Sequence, residues 1–446
     1  MFADRLNDYV TDLARHYERS GNLHKTIEYL GRAGRRAAEQ AAHAEAVGCV
    51  TRALELLQRL PDEDERVRQE LELQITLGRS LLVTAGPGSR EREKALARAL
   101  DLCERLGDNR MMEVMLSLAI VHWSRREPLQ SLQLSEKVLA LAEHRQDADG
   151  CAAAHAAIAH QLLSLGEFER SLEHFEVASE LARGGPSGKF GQFMVTAQSA
   201  PVALGLPLLF LGFPTTALKK SKEALDIRHR LSEPYLSTFP RAIYIQMNMA
   251  LRNLGGVTRE VEELAAICAE HGIGLYDGLA RCHRALLNMD AGRVKERLAE
   301  IRQIITQLAG VPPVDHVVVE MAEACRRNGL PDEGLATIED GFARSEKTPH
   351  LHAEFFRLKG ELTLLKDSGS KEEAEQYLRQ AIGVARRQAA RLFELRATTS
   401  LAALLRDTNR REQARAMLAE VYSWFTEGFD TADLKDAKAL LDELKS

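Results

Sequence analysis

The stretch that most constrains this chain is 148–182, which carries two helix-length apolar stripes around the pair Leu165-Gly166. His155, Ile158, Ala159 and Leu162 fall at offsets of three and four, which places them on one face of a helix. Gly166 can close that helix in left-handed backbone. Phe168, Ser171, Phe175 and Ala178 then open a second stripe of the same period, alternating bulky and small side chains. The unit reads as a helical hairpin, and the small residue Ala159 marks where two backbones approach.

The same unit recurs along the chain, counted by its turns at Arg126, Gly166, Gly212, Gly255, Gly292, Gly329, Gly369 and Asn409, in steps of roughly 37 to 46 residues. A small residue follows the turn by five positions at Ser131, Ser171, Ala217, Gly334, Ala374 and Ala414. After Gly255 and Gly292 that position holds Glu260 and Arg297, so looser packing is expected there. The order of landmarks resembles the tetratricopeptide repeat, with His155 at its usual Trp position, Ala159 at its second Leu-Gly position, and steps longer than its norm of about 34 residues. The expected fold is all-α, a tetratricopeptide-like right-handed superhelical solenoid of antiparallel helix pairs, essentially without strand. Hydrophobic residues at 45% with only 5% aromatics suit helix stacked on helix.

The ends set the expected boundaries. Val10, Leu13, Ala14 and Tyr17 line one helix, Gly21 turns it, and Leu23, Thr26, Leu30 and Ala33 line the next, which reads as a first copy. A third helix covers 44–57. Pro61 and the charges after it then mark a joint, dividing residues 1–64 from the array over 65–430. A helix over 67–84 breaks at Gly86-Pro87-Gly88, and 91–106 follows with Gly107 as a left-handed cap. Residues 431–446 read as a capping helix, with Leu434, Ala437, Leu441 and Leu444 inward. Asp430 and Asp433 are its expected cap, with Phe429 and Leu434 stapled across it.

Composition excludes several functions. A net charge of −6 over 446 residues opposes a nucleic-acid interface. Six scattered cysteines (Cys49, Cys103, Cys151, Cys268, Cys282, Cys325) read as free thiols in a reducing compartment, which points to the cytoplasm. Residues 1–20 carry Asp4, Arg5, Asp8 and Asp12 among apolar residues and read as an amphipathic helix rather than a secretory signal. The most apolar run, 200–213, is shorter than the roughly 18 residues of a bilayer span and contains Pro201 and Pro207, so it reads as a buried repeat helix without membrane contact.

No residue set reads as catalytic, cofactor-binding or metal-holding. The glycine-rich run 183–191 contains Gly188-Lys189. It lacks the earlier glycine and the following hydroxyl of a phosphate loop, with Arg183 and Phe190 in their places. Cys151, His155 and His160 share a helix face, and Cys268, His271, Cys282 and His283 lie on adjacent helices, but neither spacing matches a zinc pattern. Lys219, Lys220, Lys222, Arg228 and Arg230 form the densest basic run, broken by Glu223 and Asp226, and read as a solvated face with ion pairs at helical spacing. Two groups are candidates for partner contact on the concave side, where first helices of such repeats lie: His122, Trp123, Arg125 and Arg126, and Arg241, Tyr244 and Asn248.

A longer resemblance lies toward the C-terminus. Arg357-Leu358-Lys359-Gly360-Glu361-Leu362, Glu394-Leu395-Arg396-Ala397 and the run from Val421 through Trp424-Phe425 to Leu434 look like the tetratricopeptide region of large bacterial signalling proteins. Those proteins carry class III adenylate or guanylate cyclase and AAA- or STAND-type ATPase domains upstream. No cyclase metal aspartates, Walker A or Walker B occur in this sequence, so the resemblance implies no enzymatic activity for it. It implies a scaffold or sensor binding a protein or small effector on its concave face, or a regulatory piece working beside a cyclase or NTPase chain.

Overall fold

The computed structural model describes residues 9–61, 63–182, 203–227, 234–289, 291–308 and 314–445. Among these every regular element is helical. The architecture is the expected tetratricopeptide-like superhelix of antiparallel pairs. The glycine-rich run 183–191, with Lys189, and the basic residues Arg228 and Arg230 lie outside the described residues. Of the apolar run at 200–213, Gly205–Phe210 is a short, mostly buried helix. No helix of the described residues is long and apolar enough to cross a membrane.

The hairpin at Gly166 shows why the repeat is written as it is. Helix Ala148–Leu165 begins at Asp147, whose carboxylate accepts from the Gly150 amide at 3.2 Å, and ends at Gly166 with φ of +80°. Helix Phe168–Leu181 returns against it, with Phe175 and Ala178 fully buried. The Ser171 hydroxyl donates to the Ala159 carbonyl at 2.8 Å, and Ser131 does the same to Ala119 at 2.7 Å one repeat earlier. A serine can therefore replace alanine at the close-contact position, because its buried oxygen is satisfied across the hairpin. Where Glu260 takes that position the contact is not left loose. Glu260 is buried and ion-paired with Arg241, itself nearly inaccessible. Arg297 instead pairs with Glu300 at 2.8 Å on its own helix, Val294–Gln307.

Left-handed backbone marks the turns at Arg126, Gly166, Gly212, Gly329 and Asn409, as the sequence suggests. Three turns differ. Near Gly255 the helix Pro234–Ala250 is followed by Arg252 in left-handed backbone, with φ of +56°, and Gly256 opens the next helix. At Gly292 a 3-10 turn, Ala291–Arg293, takes the place of a glycine cap. At Gly369 the Asp367 carboxylate organises the turn, accepting from the Gly369 amide at 2.9 Å and the Ser370 hydroxyl at 3.0 Å.

The first pairing also shifts. Helix Leu23–Glu39 turns at Ala41 (φ +59°) into His43–Leu57, with Gly34 set against Val50 and Ala46 fully buried five residues past the turn. Leu23–Glu39 also touches Asp64–Thr84, as first helices of successive repeats do further along. Val10–Arg19 is thus placed as the second helix of a hairpin, not the first. Across the expected joint, Leu73 packs into one cluster with Ile27, Val50 and Leu57.

The C-terminal helix runs Ala432–Glu443 and buries Leu434, Ala437 and Leu441. Its cap is not the expected one. Thr431 is the N-cap residue with extended backbone, and its hydroxyl donates to the Gly428 carbonyl at 2.6 Å. Asp430 is exposed, and Phe429 is 50% exposed beside the Tyr422 ring, so no staple to Leu434 forms. Asp433 turns inward instead.

The superhelix curves tightly enough for distant hairpins to touch. Phe210 lies 4.9 Å from both the Phe168 and Phe393 rings, and one apolar cluster runs from Leu163 to Phe393. At Gly212 (φ +98°) a Cβ would sit 2.6 Å from the Trp424 ring, so glycine serves both the turn and the approach of residues far along the chain. Thr216 bonds Glu427 through its amide at 2.9 Å and its hydroxyl at 2.7 Å. Arg126 donates to both oxygens of Asp315 at 2.5 and 2.6 Å and to the Thr348 hydroxyl at 3.1 Å. At this level the concave side is filled by the chain's own C-terminal half.

Candidate functional site: a charged groove in the C-terminal hairpins

Each residue of the two partner-contact groups has an internal neighbour. The His122 ring nitrogen lies 2.7 Å from Glu127. The Trp123 indole N–H donates to the Ser164 hydroxyl at 3.2 Å, tying one first helix to the next. Arg125 donates to the Gly88 carbonyl at 2.8 Å and to Glu93 at 2.6 Å, while Arg126 is spent on Asp315. In the second group, Arg241 binds Glu260 and, at 2.7 Å, Glu263. Asn248 donates to the Tyr244 carbonyl at 2.8 Å and accepts from Asn253 at 2.8 Å. Burial, with Glu260 nearby, pushes the Tyr244 hydroxyl up. The two groups are not brought together with each other. His122, Trp123, Arg125 and Tyr244 keep part of their surface, whereas Arg126, Arg241 and Asn248 are buried.

A cavity of about 700 Å³ opens instead between the first helices of the C-terminal hairpins, Val314–Arg327, His352–Lys366 and Arg391–Asp407, bounded on one side by Met249 and Ala250 together with Asp433 and Asp436 of the C-terminal helix. Each of these helices contributes a polar stripe at offsets of three and four on the side away from its partner helix. The first carries Glu320, Glu323 and Arg326, the second Glu354, Arg357 and Glu361, the third Arg396 and Ser400. Arg357 is held by both oxygens of Glu354 at 3.0 Å and by Glu361 at 2.9 Å. Arg326 bridges Glu323 at 2.6 Å and Glu361 at 3.0 Å. Ser400 bonds Glu361 across to the third helix. Arg396 joins Glu354 at 3.1 Å, Asp433 at 2.8 Å and the Ala250 carbonyl at 2.5 Å. Arg252 closes the rim on Asp433 at 2.9 Å and Asp436 at 2.7 Å.

These pairs set the charge states. Burial works against ionisation of Glu323, but the Arg326 and Arg357 guanidiniums overcome it and hold its carboxyl at about 2. Asp433 is likewise lowered, against its burial, by Arg396. Arg357 stays protonated, its burial outweighed by Glu354 and Glu361. Glu320 behaves oppositely: burial raises its carboxyl to about 7, and Arg396 only partly offsets that. The groove is rigid in its arginines, each held by several acceptors, and soft at Glu320.

Sequence reasoning passed over Glu320 and Glu354 and read Asp433 only as part of a helix cap. The available signal was the acid–arginine spacing on two consecutive first helices and Arg396 with Ser400 on a third, which reads as an ordinary solvated face until the superhelix folds that face inward. Arg357, Glu361, Arg396 and Asp433, all within the stretches that carry the C-terminal resemblance, converge here.

The possible metal residues are used otherwise. His155 and His174 face each other with ring nitrogens 2.9 Å apart. His160 packs edge-on against Phe175, and burial lowers it to about 4. His283 bonds the Leu279 carbonyl at 2.8 Å, and Cys268 and Cys282 are buried, their thiols pushed up to about 12 by burial. Among the described residues no three metal-ligating side chains converge.

The fold and groove define a helical-repeat solenoid with a polar concave pocket. The sequence matches no protein-family model and no curated protein. Among solved structures, it is similar to the Rap conjugation gene regulator of plasmid pLS20 in complex with the Phr* peptide, with TM-score 0.53 and 12% identity over 73% of this chain and 97% of that one. A Rap protein complexed with competence and sporulation factor aligns over 94% of this chain and 99% of that one at 11% identity, with TM-score 0.46. Yeast Tom70 aligns over 99% and 96% at 13% identity, with TM-score 0.35.

Proposed function

We propose that this protein is a non-catalytic scaffold that holds an extended peptide or protein segment in the groove of its C-terminal hairpins. The observation that carries the reading is the 700 Å³ cavity on the concave side, walled by first helices whose arginines are fixed in place by carboxylates. Fixed polar walls around an open groove lower the ordering cost of binding a flexible chain. The Rap regulator of this fold was solved with a peptide bound, which favours a peptide over a small metabolite. The exposed parts of His122, Trp123 and Arg125 and, separately, of Tyr244 offer the partner two further contact points, with Arg126, Arg241 and Asn248 as buried supports. The setting is cytoplasmic and bacterial signalling.

The test is a random heptapeptide display selection against the full chain, with hits measured by fluorescence anisotropy. Hits with Kd below about 100 µM should lose binding in Ala403→Trp, which fills the cavity. No hits, or hits indifferent to Ala403→Trp, would refute the groove.

A second reading, a regulatory piece working beside a cyclase or NTPase chain, is favoured by the convergence of Arg357, Glu361, Arg396 and Asp433 from the stretches that resemble such proteins. Under either reading the chain incubated with ATP or GTP and magnesium yields neither cyclic nucleotide nor phosphate. A steady rate abolished by Lys189→Ala would contradict both.

A further inference from the structure

We propose that the groove selects a cationic side chain, arginine or lysine, of the bound segment, and that Glu320 is the residue that receives it. The inference rests on the groove reading above and adds what the groove recognises.

The argument is one of supply and demand for charge inside the cavity. Arg326, Arg357, Arg396 and Arg252 each already bind two or more acceptors. An incoming carboxylate or phosphate would have to displace Glu354, Glu361 or Asp433 from its arginine and then sit beside it. Glu320 is the opposite case. It lines the cavity half-buried and has no hydrogen-bond or ion-pair partner among the described residues.

The charged groups that face Glu320 are Glu323 and Arg327 on its own helix, Glu354 on the next, and Arg396 on the one after. Arg396 is committed to Glu354 and Asp433, so it stabilises the Glu320 charge only in part. A guanidinium or ammonium entering the cavity supplies the missing partner and finds Glu354 and Glu323 behind it. The partially desolvated site makes that pair stronger than it would be at the surface. Because burial raises the Glu320 carboxyl to about 7, the site should favour cations above that pH and lose the preference below it.

The experiment uses the full chain and two blocked pentapeptides, Ala-Leu-Arg-Leu-Ala and the same peptide with citrulline, which keeps the shape of arginine without its charge. Calorimetry at pH 8 should show the arginine peptide binding at least about tenfold more tightly, with the ratio collapsing toward unity at pH 6. Glu320→Gln should equalise the two peptides at pH 8. Its thermal melt should match the parent, since it removes no pair. Equal affinities on the parent protein, no saturation by the arginine peptide up to about 5 mM, or a ratio that survives Glu320→Gln would overturn the inference. The heptapeptide selection separates the two failures: hits blocked by Ala403→Trp without any dependence on charge leave the groove standing and remove only the role of Glu320.

Discussion

The contact between Arg126 and Asp315 should act as a bolt across the superhelix. Its two residues belong to hairpins 189 positions apart, and the Asp315 side chain is fully inaccessible while that of Arg126 is 10% exposed. Arg126→Met keeps most of the stem and the left-handed turn, so the strain of a non-glycine residue at φ of +59° is the same in both proteins and the difference reports the charge. Asp315 then loses both guanidinium bonds in a place water does not reach. Removing one member of such a pair costs about 3 to 5 kcal/mol, because the remaining charge is buried without compensation.

Replacing both members, Arg126→Met with Asp315→Leu, removes that charge and should recover most of the loss. Urea unfolding can be followed by the two tryptophans, which stand at informative places: Trp123 next to the bolt and Trp424 against Gly212. Long repeat arrays can unfold in stages, so the first transition is the one to compare. Small-angle scattering of the single variant should show a larger radius of gyration as the turn opens. A first-transition loss below about 1 kcal/mol together with an unchanged radius would refute the bolt.

Phe175→Ala should destabilise by about 3 to 5 kcal/mol, since the ring is fully buried; a melt shifted by less than about 1 kcal/mol would contradict its placement. At the C-terminal helix, Asp430→Ala should change stability by less than about 0.5 kcal/mol, the range of exposed surface changes. Asp433→Ala should cost about 1.5 to 3 kcal/mol because it removes one charged acceptor each from Arg396 and Arg252. Comparable melts for those two variants would return the capping role to Asp430. Deleting residues after Gly428 exposes Leu405, Leu418 and Val421, and light scattering should show self-association, whereas a monodisperse truncated chain would make the last helix dispensable. Acid should weaken the fold through His283: burial lowers its pKa from 6.5 to about 4, so the unfolded chain takes the proton first as pH falls below 6.5. Its contribution is complete above that value and declines by up to about 3 kcal/mol toward pH 4. His160, His316 and His350 are lowered by burial in the same way, so His283→Gln should reduce the slope of the melt against pH by one histidine's share, and an unaltered slope would contradict the contribution of His283.

The periodic features were legible in the residues alone. Offsets of three and four define the helices, Gly166 and Gly329 close them, and a small residue five positions on lets two backbones meet, so the paired helices and their stacking follow from short-range spacing. Where a turn was misplaced, as at Gly255, a nearby residue took the left-handed backbone instead; where a cap was misassigned, as at Asp430, the neighbouring Thr431 and the inward demand of Arg396 for Asp433 decided it. The partner-contact groups read as large side chains on first helices, but the spacing does not show that each also has an internal neighbour, because most of those neighbours lie on other helices, as far as 222 positions away. The curvature of the stack decided the rest. Each hairpin adds a small rotation fixed by how its side chains pack on the next one, and only their accumulated sum brings Arg126 to Asp315, Gly212 to Trp424, and three charged stripes to the walls of one groove. No spacing within a single repeat encodes that sum, which is why Glu320 reads as one more surface acid in the sequence and, in the fold, as a carboxyl that faces a cavity without a partner among the described residues.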